Sequence, residues 1–162
     1  MPKAPPDNLL AKNKKAYHDY EVLDTLEAGI QLTGPEVKSC REHKVNLKGS
    51  FVQIFGKSSK PQEAFAEGIH ISAYKHARKE DQKETRSRKL LLHRKQIDKL
   101  GSHTNEKGIA IIPLSLYLKA SLIKLKIGIC RGRKLHDKRA NLKKKDIDRE
   151  ISRATSKTIR GN

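Results

Sequence analysis

The chain has 162 residues, a hydrophobic content of 35% and 36 lysines and arginines against 18 acidic residues, giving a formal charge of +18. That length suits one domain with a core plus extended arms, and such a charge excess points to a polyanionic partner. The composition excludes a membrane span, since no apolar run is long enough; "MPKAPPDNLLAKNKK" lacks a signal-peptide core, and Cys40 and Cys130 make neither a disulfide framework nor a metal spacing. A cytoplasmic protein with free thiols is expected.

The charge is clustered. Residues 1–16 carry net +3, 75–99 net +6 and 131–162 net +8, while everything else together carries +1. A nearly neutral body with three basic attachments suits a partner touched in several places.

In chain order, residues 1–8 are predicted to be a disordered arm, given Pro2, Pro5 and Pro6. "AYHDYEVLDTLEAGIQL" reads as one or two strands with Tyr20, Val22 and Leu26 inward and a bend or bulge at Gly29. "TGPEVKSCREHK" has helix-start chemistry, with Pro35 in the first turn and Glu36 near the positive end, predicting a helix near 35–43. Ser50–Phe55 and "EAFAEGIHISAY" read as a strand pair around the loop "GKSSKPQ", with Phe65, Ile69 and Ile71 as core candidates. Lys75–Arg88 reads as an exposed loop, and Leu91, Ile97 and Leu100 as the packed face of a helix near 91–100 ended by Gly101. "IAIIPLSLYLKASLIKLKIGIC" alternates with period two, predicting two strands with one wet face and an edge or bulge at Pro113. The fold expected is mainly β: a small antiparallel barrel over residues 9–130, with two or three flanking helices. A basic tail from 131 to 162 is expected to be unfolded alone and helical against a polyanion.

Three basic stretches are candidate nucleic-acid contacts. "KNKKAYHDY" offers Asn13, Lys14, Lys15, Tyr17 and His18. "RSRKLLLHRK" offers Arg86, Arg88, Lys89, Arg94 and Lys95 for phosphate, with a leucine of 90–92 able to touch a splayed nucleotide. The tail offers Arg131, Arg133 and Lys134 around Gly132, then His136, Asp137, Lys138, Arg139 and the run Lys143, Lys144, Lys145. Arginine pairs bidentately with phosphate and stacks on bases, lysine supplies a point charge, and histidine stacks and hydrogen-bonds. Enzyme readings are weak. His18–Asp19 and His136–Asp137 are sequence neighbours without a converging nucleophile, the seven histidines have no ligand spacing, and "GSHTNEKG" lacks a phosphate-loop pattern. No catalysis, cofactor, metal or membrane contact is expected. A structural ribosomal protein or general RNA-binding protein of the small basic barrel type is the alternative to a dedicated adaptor.

The segments "NKKAYHDY" (13–20), "LEAGIQLTGPEVKSCR" (26–41), "NLKGSFV" (46–52), "RSRKLLLHRKQI" (86–97), "EKGIAIIPLSLYLK" (106–119) and "KLKIGICRGRKLHDKR" (124–139) in this order resemble the SmpB, or SsrA-binding, family. The resemblance implies an oligonucleotide-binding-fold-like (OB-fold-like) barrel that binds the tRNA-like part of transfer-messenger RNA (tmRNA) and delivers it to stalled ribosomes for trans-translation, without catalysis; a monomer is expected. It implies RNA contacts at Asn13, Glu27 and Leu91, with basic support from Lys14 and Lys89. It implies that Gly132, Arg133, Lys134 and His136 lie near the ribosomal decoding centre, and that the segment from Asp137 onward forms a helix in the empty messenger channel.

Overall fold

The computed structural model describes residues 8–56, 61–78, 82–134, 144 and 146–151. The chain divides into two units, Met1–Gly132 and Arg133–Asn162. Of the arm expected at 1–8, residues 1–7 lie outside the described residues.

The first unit opens with β1 (Leu9–Lys12), α1 (Lys14–Asp19) and β2 (Tyr20–Ile30). The stretch from Ala16 expected to form one or two strands thus begins inside a six-residue helix. A helix this short is held by its cap. Asn13 supplies it, its Oδ1 accepting from the Ala16 N–H at 3.1 Å. Its Nδ2 donates to the carbonyls of Leu47 (2.9 Å) and Pro113 (3.0 Å), and its backbone N–H donates to the Leu114 carbonyl.

Then come α2 (Gly34–Arg41), β3 (Val45–Asn46), β4 (Phe51–Phe55), β5 (Glu63–Glu67), β6 (His70–Ile71) and β7 (Arg88–Leu91). Helix α2 begins as its sequence predicts, the Thr33 N–H donating to Glu36 Oε2 at 2.8 Å. Gly68 adopts φ +70 and splits the predicted second strand into β5 and β6. Phe65 is not core: β5 buries Ala64 and Ala66 and turns Phe65 to the opposite face.

The last elements are α3 (Arg94–Thr104), β8 (Ile109–Lys119) and β9 (Leu122–Gly132). The expected helix near 91–100 begins three residues later, because Arg88–Leu91 pair with β2 and β5 as a strand, and Gly101 lies inside the helix. The β8–β9 hairpin turns through Ala120 (φ +46) and Ser121 (φ +66), a two-residue connection matching the strand twist. The bulge expected near Pro113 is present between Pro113 and Ser115, and a second lies between Val22 and Asp24 rather than at Gly29.

The main sheet has the order β1-β8-β9-β2-β7-β5-β4, with every described pairing antiparallel. It is OB-fold-like in its β content and flanking helices but is not a closed barrel. Strand β4 packs back against β8, whose two edges are already hydrogen-bonded to β9 and β1, so β1 and β4 remain as edges. Residues Ile111–Leu116 of β8 are buried on both faces, between a main core (Ile30, Leu90, Leu100, Leu125, Ile127) and a smaller cluster of Ala16, Ile112, Leu114 and Cys130 under α1. Its two-sided burial therefore exceeds the single buried face that alternation predicts. Among the described residues, no helix is long and apolar enough to cross a membrane.

In the second unit, Lys144 and residues 146–151 are helical, with Ile147 and Ile151 exposed one turn apart. Arg131 and Gly132 belong to β9, Arg131 opposite Glu21 and Gly132 opposite Tyr20, so the strand runs two residues beyond the predicted tail boundary. His136, Asp137, Lys138, Arg139, Lys143 and Lys145 lie outside the described residues.

Candidate nucleic-acid interface

Cross-strand partners share a sheet face, so register alone assembles the outward surface. One row runs Tyr117–Lys124–Gly29–Leu91 across β8, β9, β2 and β7. The next runs Lys89–Phe65–Gln53 across β7, β5 and β4. Glu27 and Lys126 oppose each other on the same face. The alternation of "RKLL" on β7 divides its side chains: Arg88 and Leu90 turn inward, Lys89 and Leu91 outward.

Between this face and the start of α3 lies an open groove of about 620 Å3, whose lining includes Glu27, Gly29, Lys89, Leu91, His93 and Lys124. Leu91 is 58% exposed, an unusual position for leucine beside a packed core. It lies directly over Gly29, where a Cβ would come within 3.0 Å of the Leu91 Cβ. Glycine there lets the leucine cross β2.

Glu27 is held at the groove's other wall. Its Oε2 accepts from the Tyr117 hydroxyl at 2.6 Å, and Lys119 Nζ donates to both carboxylate oxygens at 3.0 and 3.1 Å. The Tyr117 hydrogen bond and then that of Lys119 lower the Glu27 pKa, keeping it an acceptor at neutral pH. Burial, then the bond to Glu27, raises the Tyr117 pKa and keeps its proton in place. Replacing Tyr117 by phenylalanine is expected to raise the Glu27 pKa, read by NMR titration of its side-chain carboxyl; an unmoved titration would show that the hydroxyl does not hold the carboxylate. Lys89 pairs with Glu63, while Lys124 and Lys126 have no carboxylate within ion-pair distance among the described residues.

Sequence reasoning missed Tyr117, Lys119 and Lys124 as part of this surface. The signal was present: the period that sends Leu125 and Ile127 inward sends Lys124 and Lys126 outward.

Two of the predicted contact residues are buried and hydrogen-bonded within the protein. Arg88 is fully buried. Its Nε and Nη2 donate to Glu36 Oε1 at 3.0 and 2.7 Å, and its remaining donors reach the carbonyls of Ile69, Arg86 and Glu84. Every guanidinium nitrogen is occupied, leaving none to meet a phosphate. Asn13 is 4% exposed, and its amide is used by the α1 cap and two carbonyls. Arg86 remains partly exposed but donates to Glu36 from Nε and Nη2. The 75–99 stretch is thus partly neutralised by the protein's own carboxylates. Arg86, Arg88 and Lys89 of this stretch brace β7 through Glu36 and Glu63. The segment 82–88 is also tied down, with the Ile71 N–H donating to the Glu84 carbonyl and His70 contacting the Glu84 carboxylate.

Lys14 and Lys15 are exposed on α1, while Lys12 lies over the Tyr17 ring at 5.2 Å and Arg94 pairs with Asp98. His18 does meet Asp19, at 2.9 Å. Cys40 and Cys130 are buried free thiols, raised by desolvation to about 12 and about 11, which keeps them protonated and unreactive. No cluster of three or more potential metal ligands occurs among the described residues.

The SmpB protein family model matches residues 10–157. The SsrA-binding protein of Lactobacillus helveticus is 48% identical over 153 residues, covering 94% of this chain and 97% of its own. That of Syntrophotalea carbinolica is 49% identical over 146 residues, covering 90% and 94%. A solved chain from a structure of tmRNA and SmpB in the bacterial ribosome superposes with a TM-score of 0.64 at 37% identity, over 77% of this chain and 85% of that one. The match spans both the grooved sheet and the basic tail, and the chain belongs to the SmpB family.

Proposed function

We propose that the protein binds tmRNA and acts in trans-translation at stalled ribosomes, as a non-catalytic adaptor. The outward sheet face holds the tRNA-like part of the RNA, and the tail acts on the ribosome. The observation that carries this reading is the convergence of Glu27, of Lys89 and Leu91, and of Lys124, from three separate stretches of the chain, on one open groove. A carboxylate fixed as an acceptor takes base amino or imino protons, an exposed leucine packs on an unstacked base, and the lysines meet phosphate. Lys14 and Lys15 extend the cationic surface along α1. Asn13, Arg86 and Arg88 support the interface from within, by fixing α1 and β7.

In the tail, Arg133, Lys134 and His136 meet ribosomal RNA at the decoding centre. The stretch from Asp137 through Lys138, Arg139, Lys143, Lys144 and Lys145 enters the messenger channel as a helix. Messenger RNA and a helix about 10 Å across exclude one another, so the tail is accommodated only where the channel is empty. The basic side chains then pair with the surrounding phosphates.

Binding of the full chain to purified tmRNA, with tRNA and duplex DNA as competitors at matched salt, tests the RNA half. Preference for tmRNA is expected, with Glu27→Gln weakening binding about fivefold or more although it makes the protein more basic. Equal competition by duplex DNA, or unchanged binding by the variant, would overturn the reading.

A further inference from the structure

We propose that unpaired bases of the bound RNA stack on Phe51 and Phe55 at the β4 end of the same sheet face, extending the contact beyond the Glu27–Leu91 groove. This rests on the groove being the RNA face.

The chain has three phenylalanines, Phe51, Phe55 and Phe65, and none is buried. Phenylalanine normally supplies core area, and these strands have a core to fill. The inward positions of β4 and β5 instead take Val52, Ile54, Ala64 and Ala66, while the rings face out. Phe51 is 47% and Phe55 48% exposed. Phe55 meets Phe65 edge to face, centroids 5.6 Å apart and planes at 69°, which fixes its ring and leaves it partly open.

Register makes this platform continuous with the groove. Phe65 lies opposite Lys89, and Lys89 and Leu91 share one face of β7. A strand of RNA leaving the groove past Leu91 and Lys89 would meet Phe65 and then Phe55 without leaving the sheet. Aromatic rings on a sheet face are the usual platform for unstacked bases, and such contacts are sequence-tolerant because every base has a π face. The two carboxylates nearby do not oppose this: Glu63 is paired with Lys89, Glu67 accepts from the Ser87 hydroxyl, and stacking requires no protein charge.

The test titrates purified tmRNA into full-length protein carrying Phe51→Leu with Phe55→Leu, or Phe51→Tyr with Phe55→Tyr, over a range of salt. Leucine keeps apolar area and removes the ring; tyrosine keeps the ring. The leucine pair is expected to bind about fivefold more weakly or worse, with an unchanged slope of log affinity against log salt, and the tyrosine pair to bind as the parent. Parent-like binding by the leucine pair overturns the proposal. If that variant binds normally yet fails to support tagging on stalled ribosomes, the face docks a protein. Equal weakening by both pairs also overturns it, since the rings would not matter. Glu27→Gln with Leu91→Ala, measured in parallel, separates the two levels. Loss there with none in the leucine pair removes only the aromatic extension; no loss in either removes the groove as the RNA face.

Discussion

Replacing Glu36 by glutamine is expected to destabilise the protein by about 3 kcal/mol, the low end of what removing one partner of a buried ion pair costs. At this chain length that lowers Tm by roughly 10 °C. The carboxylate accepts from the Thr33 N–H, from Nε and Nη2 of Arg86 and from Nε and Nη2 of Arg88. Glutamine preserves the shape but leaves a fully buried guanidinium without its counter-charge. Burial by itself would raise the Glu36 pKa; the hydrogen bonds from Arg86 and Thr33 and the field of Arg88 outweigh it, and the pKa is lowered. The sign follows from linkage. A carboxylate with a depressed folded-state pKa contributes stability in full above its unfolded value of about 4.3, and loses it as pH falls through the folded value. The parent should therefore lose stability on acidification in a window the variant lacks. Glu36→Leu with Arg88→Met, which removes both charges, should recover much of the loss. Thermal melts between pH 3 and 7 check all three; an unchanged melting curve for the glutamine variant would show that the pair carries no stability. On the proposed function the consequence reaches RNA binding, because Arg88 anchors the strand that aims Lys89 and Leu91 into the groove.

How much of this was readable in advance depended on whether the deciding contact was local. The β8–β9 hairpin was legible, since Ile123, Leu125, Ile127 and Ile129 alternate with Lys124 and Lys126, and period two belongs to the strand itself. Helix α2 was legible from Thr33, Pro35 and Glu36, which act within one turn. Helix α1 was not. It depends on Asn13, whose amide is fixed by carbonyls 34 and 100 residues away. The pairing of Arg88 is hidden for the same reason: its partner lies 52 residues distant, and composition cannot tell a paired arginine from a free one. The helix expected near 91–100 takes in Leu91 because a short apolar run has no period of its own, and only pairing with Gly29 and Phe65 makes Arg88–Leu91 a strand. Within the site, the lysines were visible as charge and Leu91 as a possibility. Glu27 was not selectable from composition at all, because an acid in a basic protein carries no signal; it entered through the family resemblance, and its fixed geometry by Tyr117 and Lys119 appeared only in the fold.

The largest expected effect belongs to the tail. The two-unit division falls after Gly132, whose N–H donates to the Gly108 carbonyl and whose register with Tyr20 ends β9. A chain ending at Gly132 therefore keeps the whole sheet, the groove and Arg131. It loses the cationic tract from Arg133 onward and the helical segment with Ile147 and Ile151. Binding of tmRNA should fall only modestly, through the loss of non-specific charge, and its salt slope should become shallower. Tagging of stalled products should disappear, because nothing is left to occupy the empty messenger channel.

The most direct measurement compares that truncated chain with the full-length protein in a reconstituted stalled-ribosome reaction, with tmRNA affinity determined on the same preparations. The account predicts retained RNA binding with tagging reduced to background. Normal tagging by the chain ending at Gly132, or loss of tmRNA binding together with tagging, would contradict a division of labour between sheet and tail.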